Sequence, residues 1–266
     1  MPFTLSHPAV VVPLSRRKLV FSALLIGSMA PDFEYFVPWQ MADRFGHSFA
    51  GIFLFSIPAA FAVYLAFHLI LKQPLFTLLP SSHQARLILP VKNFSFGPLS
   101  RFIWTLVSLV VGVFSHILWD AFTHQEGRGA WMFPILKQIS IQIGQSNIPL
   151  YAILQYFCSV LGILLLVYWY VRWYQKSQPR MDLVKDRLPW WLQTFILLFF
   201  TGSGVLIALF VTFDVFNDPF SFRLLYAYFH DLAITVLAVL LMEGLVYCIL
   251  WQAVYLTKRL FERLSW

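Results

Sequence analysis

The residues with the clearest chemical potential lie in the stretch VVGVFSHILWDAFTHQEG, at positions 110–127. It starts as an apolar helix and ends with His116, Asp120 and His124, spaced four residues apart. On an α-helix, residues four apart are offset by about 40° and about 6 Å, so His116 and Asp120 share one face. Imidazole and carboxylate groups together are typical ligands of zinc, manganese or iron(II). The spacing therefore predicts a metal site, with ordinary interfacial polar residues as the alternative.

His124 is difficult to combine with His116 around a single ion. On a straight helix it lies about 12 Å further along and is turned by about 80°. Three solutions remain open: the helix breaks near Thr123, two ions are bound, or Asp120 bridges them. Paired ions about 4 Å apart are common in hydrolytic sites.

Further ionisable side chains occur at the ends of apolar segments, where they are costly and a functional role is the default interpretation. The candidate metal ligands are His7, Asp32, His47, His116, Asp120 and His124. Glu34 is the candidate general base, and Asp120 is counted with it as a candidate catalytic residue. Asp32 and Glu34 also have a simpler explanation, an ordinary helix stop after Pro31.

Membrane helices must position these residues. Hydrophobic residues make up 59% of the 266-residue chain and charged residues only 12%, whereas soluble domains have about 25% charged residues. A transmembrane helix needs about 20 apolar residues. Five runs qualify, and they cover 50–71, 102–119, 149–171, 188–213 and 232–257. The net charge of +7 fits basic loops between spans, so nucleic acid is not an expected partner.

The N-terminal segment is predicted to form a helical hairpin over residues 7–30. Its tip holds three basic residues, Arg16, Arg17 and Lys18, and its open end brings His7 close to Asp32. The predicted fold is therefore all-α: a polytopic transmembrane bundle of about five full spans plus this hairpin.

We predict a single integral membrane domain over 1–266. Its parts are the hairpin and site segment 1–49, three spans in 50–171, a basic cytoplasmic loop 172–187, and two spans with a tail in 188–266. The segment 72–101 holds four prolines and is expected to be a loop.

Basic residues predict the orientation of the bundle. With 172–187 in the cytoplasm, alternation places 72–101 and the C-terminus there too, and these regions hold 12 of the 19 Lys and Arg residues. The segments 32–49, 120–149 and 214–231 then face outward, and the candidate site with them.

The segments MPFTLSHPAVVVPL, GSMAPDFEYF and SHILWDAFTH resemble those of an uncharacterised bacterial family of polytopic membrane proteins, a domain of unknown function. The resemblance covers most of residues 1–170 and is weak beyond. It implies an integral protein of the bacterial inner membrane.

A more distant similarity is to predicted membrane-bound metal-dependent hydrolases, including those regulated by the SOS repressor, and through them to zinc-dependent phospholipase C. The order of motifs is shared, and the matching residues are His7, Pro31-Asp32, His47-Ser48, Ser115-His116 and Asp120. This similarity implies a divalent metal, zinc first and manganese or iron next, and hydrolysis of a phosphoester. The chain departs from the PDxDH-like pattern in PDFEY and from the THS-like pattern in RFGHS. The departures leave open a single-metal site or an inactive one.

The resulting functional hypothesis is a membrane-embedded metal-dependent hydrolase, in which a metal-activated hydroxide attacks a phosphoester, with a lipid as the candidate substrate. The expected partners are the lipid bilayer and such a substrate. The alternative is a non-enzymatic protein, either a scaffold or a transporter of metal ions or protons. Glu243 and His68, inside predicted spans, favour transport.

Overall fold

Helices dominate the fold of the chain. The computed structural model describes residues 4–16, 18–36, 45–92, 94–143, 146–184, 188–212 and 222–264. Five helices are long and apolar enough to cross a membrane, and they are Phe49–Leu78, Leu99–Thr123, Leu150–Lys176, Trp190–Val211 and Leu232–Thr257. The prediction of an all-α fold with five spans is confirmed. Four parts of the sequence predictions lie outside the described residues: Arg17 at the hairpin tip and the stretches 37–44, 185–187 and 213–221.

The helices are numbered in chain order. They are α1 Pro8–Val11, α2 Phe21–Gly27, α3 Phe49–Leu78, α4 Ser81–Lys92, α5 Leu99–Thr123, α6 Arg128–Met132, α7 Ile135–Gln138, α8 Leu150–Lys176, α9 Trp190–Thr212 and α10 Phe222–Leu264. Short 3-10 helices cover Thr4–Ser6, Val12–Arg16, Ala30–Phe36, Phe45–His47 and Met181–Leu183. Strands β1 Ser140–Ile143 and β2 Ser146–Pro149 pair antiparallel, with Ser140 opposite Pro149.

The chain separates into two compact units. Unit 1 comprises Met1–Leu65 and Ser95–Ser177, and unit 2 comprises Ala66–Phe94 and Gln178–Trp266. Every candidate site residue belongs to unit 1. The single membrane domain over 1–266 stays a prediction.

Unit 1 depends on a close contact between α2 and α5. A methyl group on Gly112 of α5 would lie 2.6 Å from Leu24 O and 2.7 Å from Ser28 N, and one on Gly27 of α2 would collide with Leu109 O. Only glycine lets the two backbones approach this closely, as small residues do in membrane helix pairs. Leu24 and Leu109 are fully buried. The contact therefore fixes the end of α2 against the middle of α5.

The N-terminal hairpin is present but contains less regular helix than predicted. α1 is four residues long and continues as a 3-10 helix to Arg16, and α2 begins at Phe21. Pro8 occupies the first turn of α1, as its fixed φ favours. His7 and Asp32 lie together at the open end, with ligand atoms within 4.8 Å, as the hairpin model predicted.

The prediction of a loop over 72–101 was wrong for most of this segment, within unit 2. α3 continues through Pro74 to Leu78, and α4 contains Pro90. Proline lacks an N–H, so Pro74 cannot bond to Ile70 O. The Gln252 side chain donates a hydrogen bond to that oxygen instead, at 3.1 Å. A proline in a membrane helix is tolerated when a neighbouring side chain satisfies the released carbonyl.

Candidate metal centre

All seven predicted site residues lie together in unit 1. They are His7, Asp32, Glu34, His47, His116, Asp120 and His124. They come from the start of α1, the 3-10 helix Ala30–Phe36, the turn before α3 and the C-terminal part of α5. Two groups bring one ligand atom per residue to within 4.8 Å of one another: His7 with Asp32 and His116, and His47 with His116 and Asp120.

Local structure explains how two of the histidines are placed. Ser48 is the N-cap of α3, since its Oγ accepts a hydrogen bond from Gly51 N at 2.9 Å, and His47 immediately precedes it. His116 lies on α5 one turn after Gly112, beside the end of α2. Its Nδ1 donates to Ser28 O at 2.8 Å. The glycine contact between α2 and α5 is therefore what allows this hydrogen bond.

Two imidazole nitrogens and two carboxylate oxygens lie close enough together to surround a single ion. His47 Nε2 lies 3.3 Å from His116 Nε2, 3.2 Å from Asp120 Oδ2 and 3.4 Å from Asp32 Oδ1. His116 Nε2 lies 3.4 Å from Asp120 Oδ2 and 3.5 Å from Asp32 Oδ1. An ion with ligand bonds of about 2.0–2.1 Å places tetrahedral donors about 3.3–3.4 Å apart. Five of the six distances between these four atoms are therefore close to the donor spacing around a zinc ion.

The hydrogen bonds on the far side of each ring identify which nitrogen faces the centre. His116 Nδ1 faces a carbonyl oxygen, which only accepts, so this nitrogen carries the hydrogen. His47 Nδ1 lies 3.1 Å from Glu34 Oε1 and carries a hydrogen for the same reason. In the neutral tautomers both Nε2 atoms then present lone pairs to each other at 3.3 Å. A metal ion between them, or a proton on one of them, removes this repulsion, and a hydrogen-bond acceptor behind each ring is typical of metal-binding histidines.

Glu34 has a position that differs from the one expected of a general base. Its Oε1 accepts from His47 Nδ1, and its Oε2 accepts from Gly46 N at 2.7 Å. Both carboxylate oxygens are engaged and the side chain is buried. This arrangement favours a role in orienting His47, as the carboxylates behind metal-binding histidines do. The assignment as general base stays a prediction.

Asp120 connects these four donor atoms to two further histidines. Its Oδ2 belongs to that set, whereas its Oδ1 lies 3.1 Å from His7 Nε2 and 3.4 Å from His124 Nδ1. α5 ends at Thr123, and His124 has extended backbone with φ −121° and ψ 149°. The helix thus ends where the sequence allowed it to break. His124 reaches Asp120 but belongs to neither of the two ligand groups.

The rings of His7 and His116 stack on each other, with centroids 3.9 Å apart and planes 11° apart. His7 Nδ1 faces Thr4 O at 3.2 Å, which leaves Nε2 directed at Asp120. The Thr4 hydroxyl donates to Asp32 Oδ2 at 2.5 Å. Sequence reasoning missed Thr4, because a hydroxyl or a carbonyl next to a histidine has no distinctive spacing in the chain.

The electrostatics of the cluster favour positive charge at its centre. Burial lowers the pKa of His47, but hydrogen bonds to Asp120, Asp32 and Glu34 outweigh this effect and raise the pKa to about 10. Burial raises the pKa of Asp32, but hydrogen bonds from His116, His47 and Thr4 hold it well below its ordinary value. The same carboxylates attract a divalent cation.

A cavity of about 640 Å³ gives access to the cluster. His47 and Asp120 form part of its wall, next to Glu126 and Arg128 from the turn after α5. Sequence reasoning did not single out Glu126 or Arg128, because a charged pair in a polar loop is ordinarily solvated. The cavity therefore borders the cluster on the side of His47 and Asp120.

The matching family is one of unknown function. The model of this family, described as a domain of unknown function (DUF4184), matches residues 1–250. The chain belongs to this family. The match reaches well beyond position 170, where the sequence resemblance was weak. No curated protein and no solved structure matches the chain.

Replacing Glu34 of this DUF4184 protein by glutamine is expected to weaken zinc binding about 10- to 100-fold, because His47 loses the carboxylate that orients it. Competition with a chromophoric zinc chelator measures the affinity. Glu126→Gln is the matched control, since it makes the same chemical change at an exposed residue of the cavity rim. An equal loss in both variants would mean that only the overall negative charge matters.

Proposed function

We propose that this DUF4184 protein is a membrane-embedded metal-dependent hydrolase that acts on a phosphoester. The observation that carries the proposal is the close approach of His47 Nε2 and His116 Nε2 to each other and to Asp32 Oδ1 and Asp120 Oδ2, at 3.2–3.5 Å. Two imidazoles with two carboxylates suit zinc, and manganese or iron(II) next. The site is expected at the outer face of a bacterial inner membrane, from the distribution of basic residues.

The cavity supports a catalytic rather than a purely structural metal. A catalytic zinc keeps a coordination position for water or substrate, and with four protein donors the ion has such a position when it becomes five-coordinate. Here His47 and Asp120 lie in the cavity wall, so the cavity borders the cluster. The ion, once bound, supplies a Lewis acid that polarises a phosphoryl oxygen.

The surrounding residues have separable roles in this proposal. Glu34 orients His47, and the Ser28 carbonyl orients His116. Glu126 is exposed and lines the cavity beside Asp120 and His47. A carboxylate with free access to the cavity is better placed to take a proton from water than the doubly bonded Glu34.

Hydrolysis of a soluble phosphodiester tests the proposal. Purified protein in detergent is expected to hydrolyse bis-p-nitrophenyl phosphate after loading with zinc or manganese, and to lose at least about 100-fold in rate in Asp120→Asn. A chelator is expected to abolish the rate and added metal to restore it. His83→Asn, outside unit 1, is the control. Metal-loaded protein that hydrolyses neither phosphomonoesters nor phosphodiesters would contradict the proposal.

A transport function is favoured by one feature of unit 2. Glu243 lies inside a candidate span, and its Oε1 accepts a hydrogen bond from Ser203 at 2.6 Å. Its Oε2 has no hydrogen-bond partner among the described residues. Ionisable groups at such depth often serve ion or proton pathways. Zinc or proton flux into proteoliposomes that is lost in Glu243→Gln, without phosphoester turnover, would favour this second candidate.

A further inference from the structure

The cavity beside the metal cluster has an apolar wall formed by two candidate membrane spans. Phe49 and Ile52 of α3 line it from one side, and Phe114 and Ile117 of α5 from the other. Phe49 is 72% exposed and Phe114 45% exposed. An apolar groove on two spans that themselves contact lipid is open to the chain of an amphiphile.

The other end of the cavity carries charge. Arg128, at the start of α6, lines the cavity and is exposed, and it forms no ion pair with the described residues. Glu126 lies at the same rim, so the rim itself has no net charge. Guanidinium groups bind phosphate with paired hydrogen bonds. Arg128 and a cation bound in the cluster would together attract a phosphate into the cavity.

A second observation places this end at a membrane surface. The segment between α5 and α8 is outside the candidate spans yet exposes a series of large apolar side chains: Trp131, Met132, Phe133, Ile135, Ile139 and Ile141. Lys137 holds its ammonium 3.7 Å from the centre of the Trp131 ring. Exposed tryptophan and aliphatic residues next to lysine are typical of segments that lie in the lipid headgroup region.

We infer that the cavity binds a phosphate-bearing membrane lipid, with its chain between α3 and α5 and its phosphate between Arg128 and the metal cluster. The conclusion that this lipid is the substrate rests on the proposed function. The conclusion that the lipid binds in the cavity does not. The phosphoester thus enters sideways from the bilayer rather than from the aqueous phase.

Photo-crosslinking in nanodiscs with zinc present tests the inference. The probes are a phospholipid and a fatty alcohol that carry the same diazirine-tagged chain. The phospholipid is expected to label the peptide that contains Phe114 and Ile117 several-fold more than the alcohol does. Arg128→Gln is expected to reduce this labelling about tenfold, the value of one charge-assisted hydrogen bond. Arg172→Gln, which changes an exposed arginine of α8 outside the cavity lining, is the matched control and is expected to leave the labelling unchanged.

Three outcomes would overturn the inference. One is equal labelling by the two probes, and another is labelling that is unaffected by Arg128→Gln. The third is equal displacement of the probe by inorganic phosphate and by unlabelled phospholipid, because the chain would then contribute nothing. Phospholipid labelling that depends on Arg128 in a protein that hydrolyses no phosphoester would overturn the proposed function alone. Hydrolysis of soluble phosphodiesters without such labelling would overturn this inference alone.

Discussion

Replacing His116 and Asp120 together by alanine is expected to remove the metal from the purified protein. His116 belongs to both ligand groups, and the two oxygens of Asp120 face four histidines between them. We expect at least about one zinc per chain in the wild type and less than about a tenth of that in the variant, since metal affinity requires the full ligand set. Inductively coupled plasma mass spectrometry measures the content.

The control for this experiment is the pair His83→Ala and Asp182→Ala. It removes the same two residue types, but both positions lie in unit 2, and Asp182 is an exposed partner of Arg180. The control is expected to keep the wild-type metal content. Equal trace metal in the wild type and in both variants would end the metal hypothesis, and equal loss in both would indicate a general effect on folding.

Replacing Gly112 by alanine is expected to destabilise unit 1 strongly. The added methyl group would lie 2.6 Å from Leu24 O and 2.7 Å from Ser28 N, both backbone atoms that cannot move without α2. Overpacking of this kind costs about 3 kcal/mol. Displacement of α2 also moves Ser28 O away from His116 Nδ1, so zinc affinity is expected to fall together with the unfolding temperature.

Gly202→Ala provides the comparison, because Gly202 lies within α9 and an added methyl group would meet no atom of the described residues within 4 Å apart from its own helix backbone. Alanine in a helix interior is favoured over glycine by about 0.5–1 kcal/mol, so this variant is expected to unfold at the same temperature or higher. Thermal unfolding in detergent, followed by tryptophan fluorescence, measures both variants. Equal unfolding temperatures for the two variants would show that the contact between α2 and α5 is not as close as described.

The sequence was sufficient to predict the spans because their signal is local. Five apolar runs of membrane-crossing length correspond to the five candidate spans. The loop prediction over 72–101 was wrong because two of its four prolines, Pro74 and Pro90, lie inside helices. Whether a proline stops a helix depends on what happens to the released carbonyl, and here Gln252, far along the chain, satisfies Ile70 O. Nothing near Pro74 in the sequence indicates this partner.

The candidate site was predictable to the level of residue types but not of roles. Spacing on one helix face placed His116 with Asp120, and the hairpin placed His7 near Asp32. The position of Glu34 behind His47 depends on the path of the chain between them, which no periodicity describes. The distribution of the two Asp120 oxygens among different histidines likewise follows from side-chain packing alone.

Anomalous scattering at the zinc edge, from crystals of the zinc-loaded protein, tests the central claim most directly. The account predicts a peak about 2.0–2.1 Å from His47 Nε2 and His116 Nε2, with Asp32 and Asp120 as the remaining protein ligands. A peak elsewhere, or no peak within bonding distance of these four side chains, would contradict it.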